Sequence, residues 1–133
     1  MPVICDTHIL LFWADQPERL SSRAREAIDK DLAAGGLACA DISLWEIAML
    51  HAHGRLNNRI GVSVADYLGD ILLAMDLRVL PITPAIAELS QDERFIHGDP
   101  ADRLIAATAL EQGLPLVTAD DKLQRIPGLR CIW

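Results

Sequence analysis

Short apolar runs alternate along this chain with longer segments of helical periodicity, and that alternation leaves few folds open. The runs are Val3-Ile4-Cys5, Leu37-Ala38-Cys39-Ala40, Arg78-Val79-Leu80-Pro81-Ile82, Leu116-Val117-Thr118 and Arg130-Cys131-Ile132. Runs of this length, bounded by turn residues, read as strands. Strands that alternate with helices pair in parallel through right-handed crossovers, so the chain reads as an α/β domain.

Local signals set the helix limits. A helix leads from the turn after Asp6 through Trp13 and stops near Gln16-Pro17. Ser21 caps a second, whose Ala24, Ala27, Ile28 and Leu32 recur at helical spacing before Gly35-Gly36. Ser43-Leu44-Trp45-Glu46 has the capping-box pattern and predicts a helix from Ser43 to His53, closed by Gly54. Ser63 opens another, through Met75, and Thr83-Pro84 has N-cap and N1 chemistry. Asp99-Pro100 starts one more, which turns Leu104, Ile105, Thr108 and Ala109 inward and ends at Gly113. The segment Leu44 to Leu50 is apolar nearly all round. It predicts burial on more than one side, either inside the monomer or at a subunit interface.

Composition narrows the setting. A chain of 133 residues, 51% hydrophobic, can bury a core without disulfides or structural metals. Cys5, Cys39 and Cys131 lie in apolar runs without C-x-x-C spacing, and they read as buried thiols of a reducing cytoplasm. No signal peptide precedes Asp6 and His8, and no apolar cluster approaches the roughly 20 residues of a membrane span. A soluble, cytoplasmic protein is expected. The formal charge of -7 opposes a broad phosphate-binding surface, yet carboxylates that hold divalent cations present positive charge to a phosphate.

Four acids carry the strongest hint of chemistry. Asp6, Glu46, Asp102 and Asp120 each follow a strand or begin the next helix, which gathers them at the carboxyl ends of a parallel sheet, where ligands bind. Each also has a plainer explanation. Glu46 and Asp102 stand three residues after Ser43 and Asp99, as capping-box partners do, and Asp6 and Asp120 suit turns. Asp99 itself is the better cap. Capping does not explain why all four lie at one edge, where mutual repulsion raises their pKa values unless a cation offsets it.

Taken together, Asp6-Thr7-His8, Ser43-Leu44-Trp45-Glu46-Ile47, the block from Asp99-Pro100-Ala101-Asp102-Arg103 to Ala109, and Leu116-Val117-Thr118-Ala119-Asp120 resemble the successive motifs of PIN-domain ribonucleases, and most closely those of VapC-type toxins. The likeness runs from Val3 to Trp133. It implies a single three-layer α/β/α PIN-like domain over residues 1–133, with a central, mostly parallel sheet of about five strands. It further implies that Asp6, Glu46, Asp102 and Asp120 are the catalytic acids that bind Mg2+ or Mn2+. Thr118, Thr7 and Asp99 take auxiliary places beside them. The implied activity is endonucleolytic cleavage of single-stranded or looped RNA by a metal-activated water. The implied partners are a cognate antitoxin, which inserts a basic side chain among the acids, and a second copy of the chain in a homodimer.

Substrate contacts are harder to read. Arg103, Arg94 and His97 lie beside the acidic motifs and are candidates for phosphate, against ordinary ion pairing or hydrogen bonding. His8 has the same two readings. His51 and His53, two apart on a helix, point to different sides and suit surface or partner contacts. Trp13, Trp45 and Trp133 fall in apolar contexts that favour packing over base stacking. Two other functions fit the same acids: a phosphatase-like domain with Asp6 as covalent nucleophile, and a catalytically silent PIN-like domain that binds RNA or a partner.

Overall fold

The first apolar run becomes the centre of the sheet. In the computed structural model, which describes residues 2–56, 61–96 and 98–133, β1 (Val3–Cys5) pairs with β2 (Leu37–Ala40) on one side and β4 (Leu116–Val117) on the other. The edges are β3 (Leu77–Leu80) and β5 (Cys131–Ile132), giving the order β3-β2-β1-β4-β5 with all four pairings parallel. The chain first moves from β1 toward β3 and then returns past β1 to β4. That reversal opens a crevice at the carboxyl ends of β1 and β4, the natural ligand position of such a sheet.

Alternation along the strands fills two cores. Val3, Cys5, Leu37, Cys39 and Val117 face α1 (Thr7–Asp15), α2 (Ser22–Ala33), α3 (Ile42–Ala52) and α4 (Val64–Ala74). Ile4, Ala38, Ala40 and Leu116 face α5 (Pro84–Leu89), α6 (Pro100–Gln112) and α7 (Asp121–Gln124). A sheet covered on both sides by helices is the three-layer fold expected. Cys5 and Cys39 are buried free thiols and Cys131 is half-buried. Burial and neighbouring charge push Cys39 up to about 12 and Cys131 to about 11, so both stay protonated at neutral pH.

Most helix starts follow the expected chemistry. The hydroxyls of Ser21, Ser63 and Thr83 accept from the backbone N–H groups of Ala24, Asp66 and Ile86. Gly113 closes α6 with φ +67, a left-handed conformation that glycine adopts without strain. In α6, Ile105, Thr108 and Ala109 are buried as expected, together with Ala101, Ala106 and Ala107, while Leu104 is half-buried.

The capping box at Ser43 does not form. The helix begins one residue earlier, at Ile42, and Asp41 takes the N-cap place in helical backbone geometry without a side-chain cap bond. The reason is β3. Its end claims Asp41 twice, because Asp41 N–H donates to Leu80 O and Asp41 Oδ2 accepts from Ile82 N at 3.0 Å. Ser43 is thereby drawn inside the first turn, where its hydroxyl accepts from Thr7 Oγ1 at 3.0 Å. Glu46 is released from any capping duty. β3 also runs one residue earlier than the apolar run suggests, ending before Pro81, which has no N–H to continue the ladder. Nor is α3 buried all round: Ser43, Glu46 and Ile47 point inward while Trp45 is 56% exposed.

Candidate active site

The turns after β1 and β4, helix α3 and the start of α6 bring acids to one cleft of about 320 Å³, lined by Asp6, His8, Phe12, Glu46, Asp99, Asp102, Ala119 and Asp120. Asp6 follows β1 and caps α1: its Oδ1 accepts from Thr7 N at 2.8 Å. Its Oδ2 accepts from Thr118 Oγ1 at 2.7 Å, across 112 residues of sequence. Thr118 is fully buried and also accepts from Asp120 N at 3.1 Å, so one hydroxyl links the turns after β1 and β4. Asp120 then caps α7 through Lys122 N at 2.8 Å.

The opposite wall is built differently. Glu46 from α3, Asp99 from the N-cap of α6 and Asp102 from its first turn bring carboxylate oxygens within 4.8 Å of one another. Asp99 keeps one oxygen on Ala101 N at 2.8 Å and joins this group as well, so capping and clustering coexist in one side chain. Glu46 is only 7% exposed, and its Oε1 is buried without a hydrogen-bond partner. A buried carboxylate oxygen with no donor beside two further acids is costly unless positive charge arrives. The donor set is all oxygen, which suits a hard divalent cation.

Burial also acts on Asp6. Desolvation raises its pKa above the usual carboxylate value, against the lowering effects of the Thr118 hydroxyl, the Thr7 N–H and His8, while Glu46 pushes it further up. A cation in the cleft opposes that rise.

Thr7, Arg103 and Arg94 are not among the residues that line the cleft. Thr7 donates its hydroxyl to Ser43 Oγ at 3.0 Å, and its backbone N–H donates to Asp6 Oδ1. Arg103 Nε donates to Ser90 O at 2.8 Å, tying α6 to the end of α5. Arg94 pairs with Asp92 at 3.2 Å on an exposed turn, and neither arginine lines the cleft. His97 lies outside the described residues. Two further contributors were not visible in the sequence. Phe12 lines the cleft from one turn along α1, and Ser43 anchors Thr7 although its sequence context reads as a cap.

Known proteins share this architecture. The PIN domain profile matches residues 3–129. Ribonuclease VapC22 of Mycobacterium tuberculosis is 38% identical over 134 residues, an alignment that covers 98% of each chain. Among solved structures, VapBC2 from Rickettsia felis bound to a promoter DNA fragment contains a chain that matches with a TM-score of 0.74 at 20% identity, over 98% of this chain and 97% of that one. DNA-bound VapBC from Salmonella typhimurium matches at 0.70 and 20%, over 98% and 96%. Those two likenesses speak for the fold. The profile and the 38% identity, each spanning nearly the whole sequence, speak for descent, and this chain belongs to the PIN-domain family.

Proposed function

We propose that this protein is a Mg2+- or Mn2+-dependent endoribonuclease that cuts single-stranded or looped RNA and acts as the toxin of a toxin-antitoxin pair. The observation that carries the reading is the buried, unpartnered Glu46 Oε1 beside Asp99 and Asp102, in a cleft that Asp6 and Asp120 complete. The 38% identity to a VapC ribonuclease supplies the substrate class.

Glu46, Asp102 and Asp120, with Asp6 held rigid between Thr7 and Thr118, are the residues that would hold the cation. Asp99 contributes from its cap position. When bound, a divalent ion supplies an activated water and offsets charge on the phosphate. The chain's own part is to keep the carboxylates fixed, so that little reorganisation is needed when RNA enters. Asp6 is a poor covalent nucleophile, because it is only 5% exposed and each of its oxygens already accepts a hydrogen bond. This weighs against a phosphatase-like mechanism.

The partners follow from the same surface. An acidic cleft attracts a basic side chain, the form of inhibition suited to an antitoxin. The exposed Trp45 and the half-buried Met49 border a hollow that reaches Pro100 and Ala101, an apolar face suited to a second copy of the chain. Among the described residues no helix is long and apolar enough to cross a membrane, and a cytoplasmic setting follows from the RNA substrate.

The test is RNA cleavage by purified protein. Activity with Mg2+ or Mn2+ that EDTA removes, and that Asp102→Asn lacks while keeping its melting temperature, is the expected result. Cleavage that survives both treatments sinks the reading.

A further inference from the structure

We infer that the groove beside the acidic cleft, formed where the end of α1 meets the end of α3, seats an RNA backbone phosphate away from the point of cutting, with Arg19 and Arg55 as its cationic contacts. This rests on the ribonuclease reading above and adds a substrate path to it.

The groove has about 350 Å³ of space and shares His8 and Phe12 with the acidic cleft, so the two lie side by side. Among the described residues, none that lines the cleft is lysine or arginine. A strand held at the acids must therefore find its countercharge as it leaves them. The shared groove supplies it, because Arg19 and Arg55 both line it, both are exposed, and among the described residues neither is in an ion pair.

Arg19 is also held in place. Its guanidinium lies over the Phe12 ring at 4.3 Å, and Nη1 donates to Gln16 Oε1 at 3.2 Å. A stacked, tethered guanidinium loses little freedom on binding and keeps N–H groups at its edge for phosphate oxygens. The one carboxylate in the groove, Asp15, accepts from the Tyr67 hydroxyl. In a chain of net charge -7, two arginines beside an acidic cleft, neither taken by the nearby acid, are poorly explained as ordinary surface charge.

The experiment measures binding of a labelled single-stranded RNA to the full-length Asp6→Asn protein, in Mg2+, across a range of salt concentrations. Each phosphate contact adds about 0.7 to the slope of log affinity against log salt for a single strand. Arg19→Ala and Arg55→Ala should each lower that slope by about 0.7 and weaken binding about 3- to 10-fold at low salt. Arg19→Lys should restore the slope, because it returns the charge. Arg130→Ala is the charge-matched control: its guanidinium donates to Gly113 O at the far edge of the sheet, and its slope should match that of the parent. Circular dichroism melts confirm folding, and Arg19→Gln, which removes the charge but keeps much of the side chain, carries the test with Arg55→Ala if Arg19→Ala unfolds. Unchanged slopes in the folded charge-removing variants of Arg19 and Arg55 overturn the groove assignment alone. Normal RNA binding with lost affinity for the antitoxin gives the groove to the protein partner, and overturns it too. Absence of RNA binding by the Asp6→Asn protein at low salt overturns the groove assignment, and absence of metal-dependent RNA cleavage by the parent protein removes the ribonuclease reading itself.

Discussion

Asp6 and Glu46 face one cleft and are almost equally buried, yet their surroundings are opposite. Both Asp6 oxygens are satisfied, one by a backbone N–H and one by the Thr118 hydroxyl, whereas Glu46 Oε1 has no donor among the described residues. The first is an anchor whose position is decided before anything binds. The second is a vacant acceptor whose energetics depend on what binds. A site of this kind divides its labour: one wall fixes geometry and the other supplies the demand for positive charge.

The sharpest way to break the contrast is to neutralise each acid. Glu46→Gln and Asp6→Asn should both reduce RNA cleavage by roughly 10³-fold, the scale of losing several kcal/mol of charge stabilisation at the phosphate. Steady-state assays with excess Mg2+ check this, and activity near the parent in Glu46→Gln removes the acceptor role. Next in size is stabilisation by the ion alone. Mg2+ or Mn2+ at about 100 times its dissociation constant should raise unfolding free energy by about 2.7 kcal/mol, and Glu46→Gln should lose most of the gain. Calorimetric melts with and without EDTA measure it.

Removing the anchor's support is milder. Thr118→Val keeps the volume but takes the hydroxyl from Asp6 Oδ2 and the acceptor from Asp120 N, so activity should fall about 10- to 100-fold. Denaturant titration should show a cost of about 1–3 kcal/mol for the unpaired buried groups. The smallest effect separates capping from clustering at Asp99. Asp99→Asn keeps an N-cap acceptor and should leave stability within about 0.5 kcal/mol while weakening cation binding, whereas Asp99→Ala should cost about 1 kcal/mol.

The sign of the pH response distinguishes the walls as well. The pKa of Asp6 is raised in the folded state by burial, so its contribution to stability is fully present below the unfolded value of about 3.8 and is lost as pH rises through the folded value. The metal-free Asp6→Asn protein should therefore gain stability over the parent toward neutral pH, and lose that advantage in acid. Chemical denaturation at several pH values, in EDTA, reads the difference directly.

Much of this was legible in the sequence because it is local. Strand runs, the caps at Ser21, Ser63, Thr83 and Asp99, and the glycine stop at Gly113 depend on a few neighbouring residues, and each appears where local chemistry puts it. The acids stood out because they follow strands. What could not be read was decided by contacts distant in sequence. β3 takes Asp41, which shifts the start of α3 and turns an apparent capping box into a Thr7–Ser43 bond and a free Glu46. Local chemistry reads Asp99 as a cap and the family resemblance gives it an auxiliary place, but nothing local reveals that Glu46 arrives beside it. The contacts of the two candidate arginines next to the acidic motifs are equally non-local in the case of Arg103, whose Nε donates to Ser90 O, while Arg94 pairs with its neighbour Asp92.

The Thr118–Asp6 bond has a consequence in time. β1 is made first and sits at the centre of the sheet, but its partner β4 and the hydroxyl that fixes Asp6 come more than a hundred residues later. On a ribosome adding about 5–20 residues per second, the first acid is synthesised seconds before the structure that sets it. A nascent chain lacking β4 has strands and helices but no finished cleft. Catalytic competence thus waits on β4 and Thr118, and a growing chain stays harmless to the RNA around it until that portion folds back onto β1.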